Sequence, residues 1–207
     1  MGSMVSNLLS AFTKKSPKKV LMLGLDNAGK TTILYLLHFK AIEGSDTTTV
    51  PTVGFNIETI KIGNVGIIVW DIGGQHKIRS LWEFYTDGLS GMVYVIDIQD
   101  SERWETAVQE LTRMLSNSGR PTRYPVLIIA NKIDKIPEAE IEEVKQNLYN
   151  KINPTVLFAG RPWMIITCSA TTAKDVNMIT EGFVWLANNL VESQAPMGKI
   201  EEGSRGI

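Results

Sequence analysis

GLDNAGKTT, residues Gly24–Thr32, decides how this chain is read. A glycine, four residues and then Gly-Lys-Thr is the form of a loop that holds phosphates. Its setting matters as much as its letters. Val20 to Leu23 is a short apolar run fit for a buried strand, and TTILYLLHF after the loop reads as a helix. Glycines in such a loop let backbone N–H groups turn toward a pyrophosphate, and the helix N-terminus adds partial positive charge. Lys30 is expected to reach the β- and γ-phosphates and Thr31 to ligate Mg²⁺. Asp26, Asn27, Ala28, Gly29 and Thr32 complete the expected cradle. Taken alone, the stretch also fits a Gly-rich turn that holds no ligand.

Working outward, apolar runs alternate with helical patterns. FNIETIKIGNVGIIVWD alternates apolar and polar residues around Gly63-Asn64, which reads as a hairpin. GMVYVID, VLIIAN and MIITCSA are near-continuous apolar runs, as expected of parallel strands covered on both faces. Helices are expected near Trp104 to Leu115, after Pro137 with Ile141, Val144, Leu148 and Ile152 on one face, and from about Val176 to Val191. The alternation predicts an α/β fold of the phosphate-loop NTPase type: six strands, mostly parallel, one antiparallel hairpin strand, helices on both faces. From Glu192 the chain is polar and Gly-rich, and it is expected to be disordered.

Further residues fall at the ends of these strands. VWDIGGQ closes one with Asp71, an acid placed for the metal. Gly74 follows with a backbone N–H for a γ-phosphate, and Gln75 with a side chain able to orient a water. ANKID closes another with Asn131, Lys132 and Asp134. An aspartate there can accept from the N1–H and exocyclic amine of guanine, whereas adenine would leave it unpaired, and a site built on such bonds rejects the analogue lacking them. Ser169-Ala170 closes the next strand, where a backbone N–H can read the guanine O6. Four motifs in this order, all at carboxyl ends of strands, point to a guanine-nucleotide site.

Composition narrows the rest. Hydrophobic residues make up 43% of the 207 and charged residues 21%, ordinary for a domain with a real core. The net charge of −1 supplies no global field for nucleic acid. The one cysteine, Cys168, allows neither an intrachain disulfide nor a thiolate zinc site, which fits a reducing, cytoplasmic setting. No apolar run approaches the roughly 18 residues of a spanning helix. His38 and His76 stand alone. Trp82, Trp104 and Trp185 read as core residues on helical faces.

With GLDNAGKTTIL, PTVGFNIET, VWDIGGQHKIRSLWEFY and EGFVWLANNL in hand, the chain resembles the Arf and Arf-like small GTPases of the Ras superfamily from about Met1 to Val191. The resemblance implies a switch that binds GTP and GDP with Mg²⁺, hydrolyses GTP slowly to GDP and recruits effectors to membranes in its GTP state, in vesicle-mediated protein transport. It implies that Thr52 joins Mg²⁺ only when the γ-phosphate is present, with Thr31 a constant ligand and Asp71 behind them. It gives Gln75 the catalytic role, Phe55, Trp70 and Tyr85 an effector-binding role, and the hairpin Phe55 to Trp70 a slide in register between states. The implied partners are an exchange factor, a GTPase-activating protein supplying an arginine, and effectors, at the cytoplasmic face of endomembranes, the Golgi first. No arginine lies between Lys40 and Thr52, so switch I supplies none in cis. The segments AIEGSDTTTV, NKINPTVLFAGRPW and TTAKDVNMI look longer than the family pattern. A GTP-binding scaffold without useful hydrolysis and an ATP-dependent phosphate-loop kinase are the rival readings. The presence of Gln75, Thr52, Thr31 and Asp71 counts against the first, Asp134 against the second.

The N-terminus raises a membrane question. Val5, Leu8, Leu9 and Phe12 form one apolar stripe at helical spacing, and Lys14, Lys15, Lys18 and Lys19 follow as a basic cluster. Gly2 and Ser6 fit the N-myristoylation pattern. The stripe suits a membrane surface or the domain's own flank. MGS could also be an expression scar ahead of Met4, although the segment aligns without a gap on the usual Arf start. The expected organisation is residues 1–17 as amphipathic helix and linker, 18–191 as the small GTPase domain, and 192–207 as tail.

Overall fold

Six strands form one sheet in the order β2-β3-β1-β4-β5-β6. The computed structural model describes residues 17–39, 52, 54–116, 123–172 and 175–191. The N-terminal stripe, Gly2, the long segment before Pro51 and the C-terminal tail lie outside the described residues. The strands are β1 (Lys18–Leu23), β2 (Phe55–Ile62), β3 (Val65–Ile72), β4 (Leu89–Asp97), β5 (Val126–Asn131) and β6 (Trp163–Thr167). Only β2 runs antiparallel, paired with β3 around Gly63-Asn64 so that Phe55 faces Ile72 and Ile62 faces Val65. All other pairings are parallel.

The apolar runs form central strands because both of their faces are covered. Along β1, Leu21 and Leu23 enter one core while Val20 and Met22 enter the other. Along β4, Tyr94 and Ile96 join the first and Val93 and Val95 the second, as the two-residue period of a strand requires. The first core is closed by α3 (Trp104–Ser116) and α4 (Ile141–Ile152), through Trp104, Leu111, Leu148 and Ile152. The second is closed by α1 (Lys30–Phe39) and α6 (Val176–Asn189), through Ile33, Leu34, Ile179, Phe183 and Leu186. Trp82 and Trp104 are buried and Trp185 packs half-buried on the second core, as expected. Cys168 is buried, and burial pushes its thiol up to about 12, so it packs as an inert apolar group.

Two stretches add elements that periodicity does not reveal. After β3 the chain makes a four-residue helix, α2 (His76–Arg79), and a 3₁₀ turn, Trp82–Tyr85. After α4, Asn153 takes a left-handed conformation, φ 47°, and its N–H caps Tyr149 O; Pro154 then opens the short helix α5 (Pro154–Leu157). An αL residue that ends one helix and a proline at the first position of the next are the ordinary chemistry of such a break. This is how the longer NKINPTVLF segment is accommodated.

Candidate functional site

The carboxyl ends of β1, β3 and β5 bring the expected loops to one end of the sheet, where an open pocket of about 300 Å³ lies. Its wall is made by Asp26, Asn27 and Gly29–Thr32 from the loop after β1, by Gly73–Gln75 after β3, by Thr52, and by Lys132 after β5. Ala28 is buried beneath, its N–H donating to Leu25 O at 3.3 Å. Lys30 is 6% exposed, and its Nζ donates to the carbonyls of Gly24 and Leu25, each at 3.0 Å. Burial lowers its pKa to about 8 against the pull of Asp71 and Asp26. The ammonium is thus curled onto the loop's own carbonyls, in a place that a phosphate would share.

Thr31, Thr52 and Asp71 converge. Thr31 Oγ1 donates to Asp71 Oδ2 at 2.6 Å and lies 2.9 Å from Thr52 Oγ1, which is itself 3.5 Å from the same carboxylate oxygen. The other oxygen, Asp71 Oδ1, is buried and has no hydrogen-bond partner among the described residues. Burial pushes the Asp71 carboxyl up, opposed by the Thr31 hydrogen bond and the Lys30 charge. Two hydroxyls and a carboxylate with an orphaned oxygen are a hard, all-oxygen donor set, the kind that Mg²⁺ takes together with phosphate oxygens. The residues fit that ion: Thr31 and Thr52 could ligate it, with Asp71 orienting both. No group of three His, Cys, Asp or Glu side chains forms another metal site among the described residues.

Thr52 and Gly74 lie against the phosphate loop and the first residues of α1, and Gly54 is tied to Gly73. Gly73 N donates to Gly54 O at 2.9 Å. A Cβ on Gly74 would lie 2.3 Å from three phosphate-loop backbone atoms, Asp26 N, Gly24 O and Leu25 C, so only glycine allows this approach. Gln75 is half-buried in the pocket wall, in extended backbone at the start of α2, and its side chain makes no capping hydrogen bond.

The expected base-reading residues flank the pocket without forming its wall, Lys132 excepted. Asn131 is 2% exposed and spends its side chain on the scaffold: Nδ2 donates to Ala28 O and Oδ1 accepts from Ala170 N, both at 2.9 Å. Asp134 is exposed in the 3₁₀ turn Ile133–Lys135. Ser169 N donates to Asp175 Oδ2 at 2.9 Å. Both N–H groups of the Ser169-Ala170 pair, one of which is expected to read the guanine O6, have internal acceptors here. A base oxygen would share one of these protons or displace its acceptor.

Sequence reasoning missed three residues. Asp97, at the end of β4, is 2.7 Å from Lys132 Nζ and holds that side chain, whose backbone is left-handed at φ 71°. Its position at a strand's carboxyl end, like that of Asp71, was the available signal. Arg79 and Arg103 each grip one oxygen of Asp26, at 3.3 and 3.2 Å. Away from the pocket, Phe55, Trp70 and Tyr85 meet as one cluster, with ring centroids 5.6, 5.7 and 5.8 Å apart. Lys19 lies 4.6 Å above the Trp70 ring while donating to Asp87 O.

The chain as a whole is similar to known proteins of one family. A profile described as the ADP-ribosylation factor family matches residues 2–190. The chain is 38% identical over 191 residues to ADP-ribosylation factor J of Dictyostelium discoideum, covering 92% of this chain and 94% of that protein. Factor K of the same organism matches equally, at 38% over 191 residues. Among solved structures it is similar to the Arl6 BBS3 small GTPase of Trypanosoma brucei bound to the nucleotide analogue GppNp, with 32% identity, a TM-score of 0.67, and 84% of this chain and 96% of that chain covered. The mammalian SRP receptor shares the fold alone, at 18% identity and a TM-score of 0.67.

Proposed function

The chain belongs to the ADP-ribosylation factor family of small GTPases, and from that premise we propose that it is a GTP-operated switch with slow, partner-stimulated hydrolysis. The observation that carries the proposal is the closure of Thr52 and Gly73–Gln75 over the phosphate loop, with the Thr31, Thr52 and Asp71 oxygens converging beside it. Closure of that kind is what a γ-phosphate would reward, because it is the only part of GTP that GDP lacks.

In this reading Lys30 exchanges its loop carbonyls for phosphate oxygens, and Gly74 N–H faces the γ-phosphate. Thr31 and Thr52 would hold Mg²⁺, oriented by Asp71, and the ion would supply charge neutralisation for the phosphates. Gln75 orients a water for in-line attack; the new O–P bond forms as the bond to the β-phosphate oxygen breaks, releasing GDP and phosphate. Asn131, Lys132, Asp134, Ser169 and Ala170 form the guanine half. The segment 40–51 carries no arginine, so an activating partner supplies one. Unassisted turnover is then on the order of 10⁻⁴ per second, and a partner's arginine raises it roughly 10³- to 10⁵-fold. Gln75→Leu should retain GTP and lose the response to an activator, as read by single-turnover hydrolysis. A variant that still responds fully would remove Gln75 from the catalytic role, whereas an unsubstituted chain that hydrolyses GTP neither alone nor with an activator would be a GTP-binding scaffold.

The proposal extends to the membrane. A Gly2-linked myristoyl chain alone gives weak attachment, with a partition constant of roughly 10⁴ M⁻¹, so the Val5/Leu8/Leu9/Phe12 stripe is the second signal, offered with GTP and withheld with GDP. Phe55, Trp70 and Tyr85 then present the effector surface on endomembranes, in vesicle trafficking at the Golgi. Flotation of acylated protein on liposomes should be stronger with a non-hydrolysable GTP analogue than with GDP. Equal flotation in both states would separate nucleotide from membrane.

A further inference from the structure

Arg79 is a charged side chain in a buried place. It ends α2 and is 7% exposed. Its guanidinium is divided among three elements. Nε donates to the carbonyl oxygen of Gly74 at 2.8 Å. Nη2 donates to Asp26 Oδ1 in the phosphate loop at 3.3 Å, and Nη1 lies 4.0 Å from Glu110 Oε1 on α3. The Arg79 carbonyl in turn accepts from Arg113 Nη2 at 2.9 Å, and Arg113 is itself paired with Glu110 and Glu83. A cation buried to this depth has given up hydration, and a planar fork can serve several fixed partners where a point charge cannot.

The Gly74 carbonyl is the informative partner. It belongs to the same planar peptide unit as the N–H of Gln75. Fixing that oxygen fixes the plane from which the Gln75 side chain departs, at a step where the preceding residue has no side chain of its own to resist rotation. The other side of Gln75 is pinned as well, since its carbonyl accepts from Ile78 N at 2.9 Å and Arg79 N at 3.2 Å. Asp26 is a firm anchor because its second oxygen is held by Arg103.

We propose that Arg79 is the positioning residue for Gln75: by binding the Gly74 carbonyl and the Asp26 carboxylate together, it holds the glutamine over the phosphate loop in the arrangement hydrolysis requires. Arg79 touches neither the water nor the phosphate, and the inference rests on reading Gln75 as the water-orienting residue. An error of an ångström in such a group costs up to roughly 100-fold in rate.

The test is single-turnover hydrolysis of bound GTP by the full chain, Arg79→Lys, Gln75→Leu and the double variant, with GDP and GTP affinities measured for each. Arg79→Lys keeps the charge and loses the fork. It should slow hydrolysis roughly 10- to 100-fold, with affinities within about twofold, and it should add nothing in the Gln75→Leu background, because its effect passes through that side chain. A merely structural arginine would weaken both nucleotides and slow the Gln75→Leu protein further. Unchanged hydrolysis, or equal slowing in both backgrounds, overturns the proposal. Should Gln75→Leu alone leave hydrolysis unchanged, the underlying reading of Gln75 falls and this inference with it. If Arg79→Lys does not fold, Asp26→Asn, which keeps an oxygen acceptor and removes the charge, should show the same dependence on Gln75; additive slowing there overturns the proposal equally.

Discussion

Lys30 shows how one side chain can be prepared for a ligand and still satisfied without it. Its ammonium rests on two carbonyls of its own loop, and burial holds its pKa near 8. A lysine depressed in this way carries its charge at a cost below about pH 8 in the nucleotide-free protein. That cost disappears as the pH rises from 8 toward the ordinary 10.5, so the group adds to stability across that window. A bound triphosphate reverses the preference by favouring the cation. Binding near pH 8.5 should therefore take up as much as about one proton per nucleotide, read by calorimetry in buffers of different ionisation enthalpy. Absence of uptake would place Lys30 away from the phosphates. Lys30, Thr31 and Asp71 were legible in the sequence because each has a fixed place in a short motif at a strand end. Arg79 was not, because its importance lies in a partner 53 residues away, Asp26; Asp97 closes a strand as Asp71 nearly does, but its role comes only from Lys132, 35 residues on.

Between β3 and β4 the chain is governed by what it touches more than by its own periodicity. The turn at Trp82–Tyr85 exists because Trp82 is fully buried, edge-on to Tyr94, with its Nε1 donating to Gly73 O at 3.0 Å. No local pattern announces such a segment, whereas the doubly covered strands and the long helices announce themselves by unbroken apolar runs and helical spacing. The same element carries a sharp steric condition at Gly74. Gly74→Ala must push the segment off the phosphate loop, since the three closest atoms there are backbone. The expected result is a folded protein whose preference for a GTP analogue over GDP falls on the order of tenfold, within the usual range of coupling between a site and a moving element. Competitive titration of the two nucleotides reads this directly, and an unchanged ratio would mean that closure of Gly74 is not tied to the γ-phosphate.

Across the whole molecule, the strand order puts the ends of β1, β3, β4 and β5 side by side, and the pocket assembles from loops far apart in sequence. The order follows from two-sided burial of the central strands, so the fold was readable before the pocket's detailed wiring. That wiring depends on Asn131, whose amide nitrogen reaches Ala28 O and whose amide oxygen receives Ala170 N. The space for it exists because Gly29, at φ 93°, has no Cβ; one would sit 2.2 Å from Asn131 Nδ2. The consequence is one of timing. A nucleotide gripped by two halves that are stapled to each other has no gradual route out, peeling first from one side and then the other. Both halves must give way in the same event, which makes release a rare, clock-like step and obliges anything that resets the clock to prise the loop after β1 from the loops after β5 and β6. Asn131→Ala should shorten the residence of bound GDP by at least about tenfold, a loss of the order expected when buried hydrogen bonds at both ends of one side chain disappear. Dissociation of a fluorescent GDP would time it, and an unaltered rate would show that the two halves keep time without the staple.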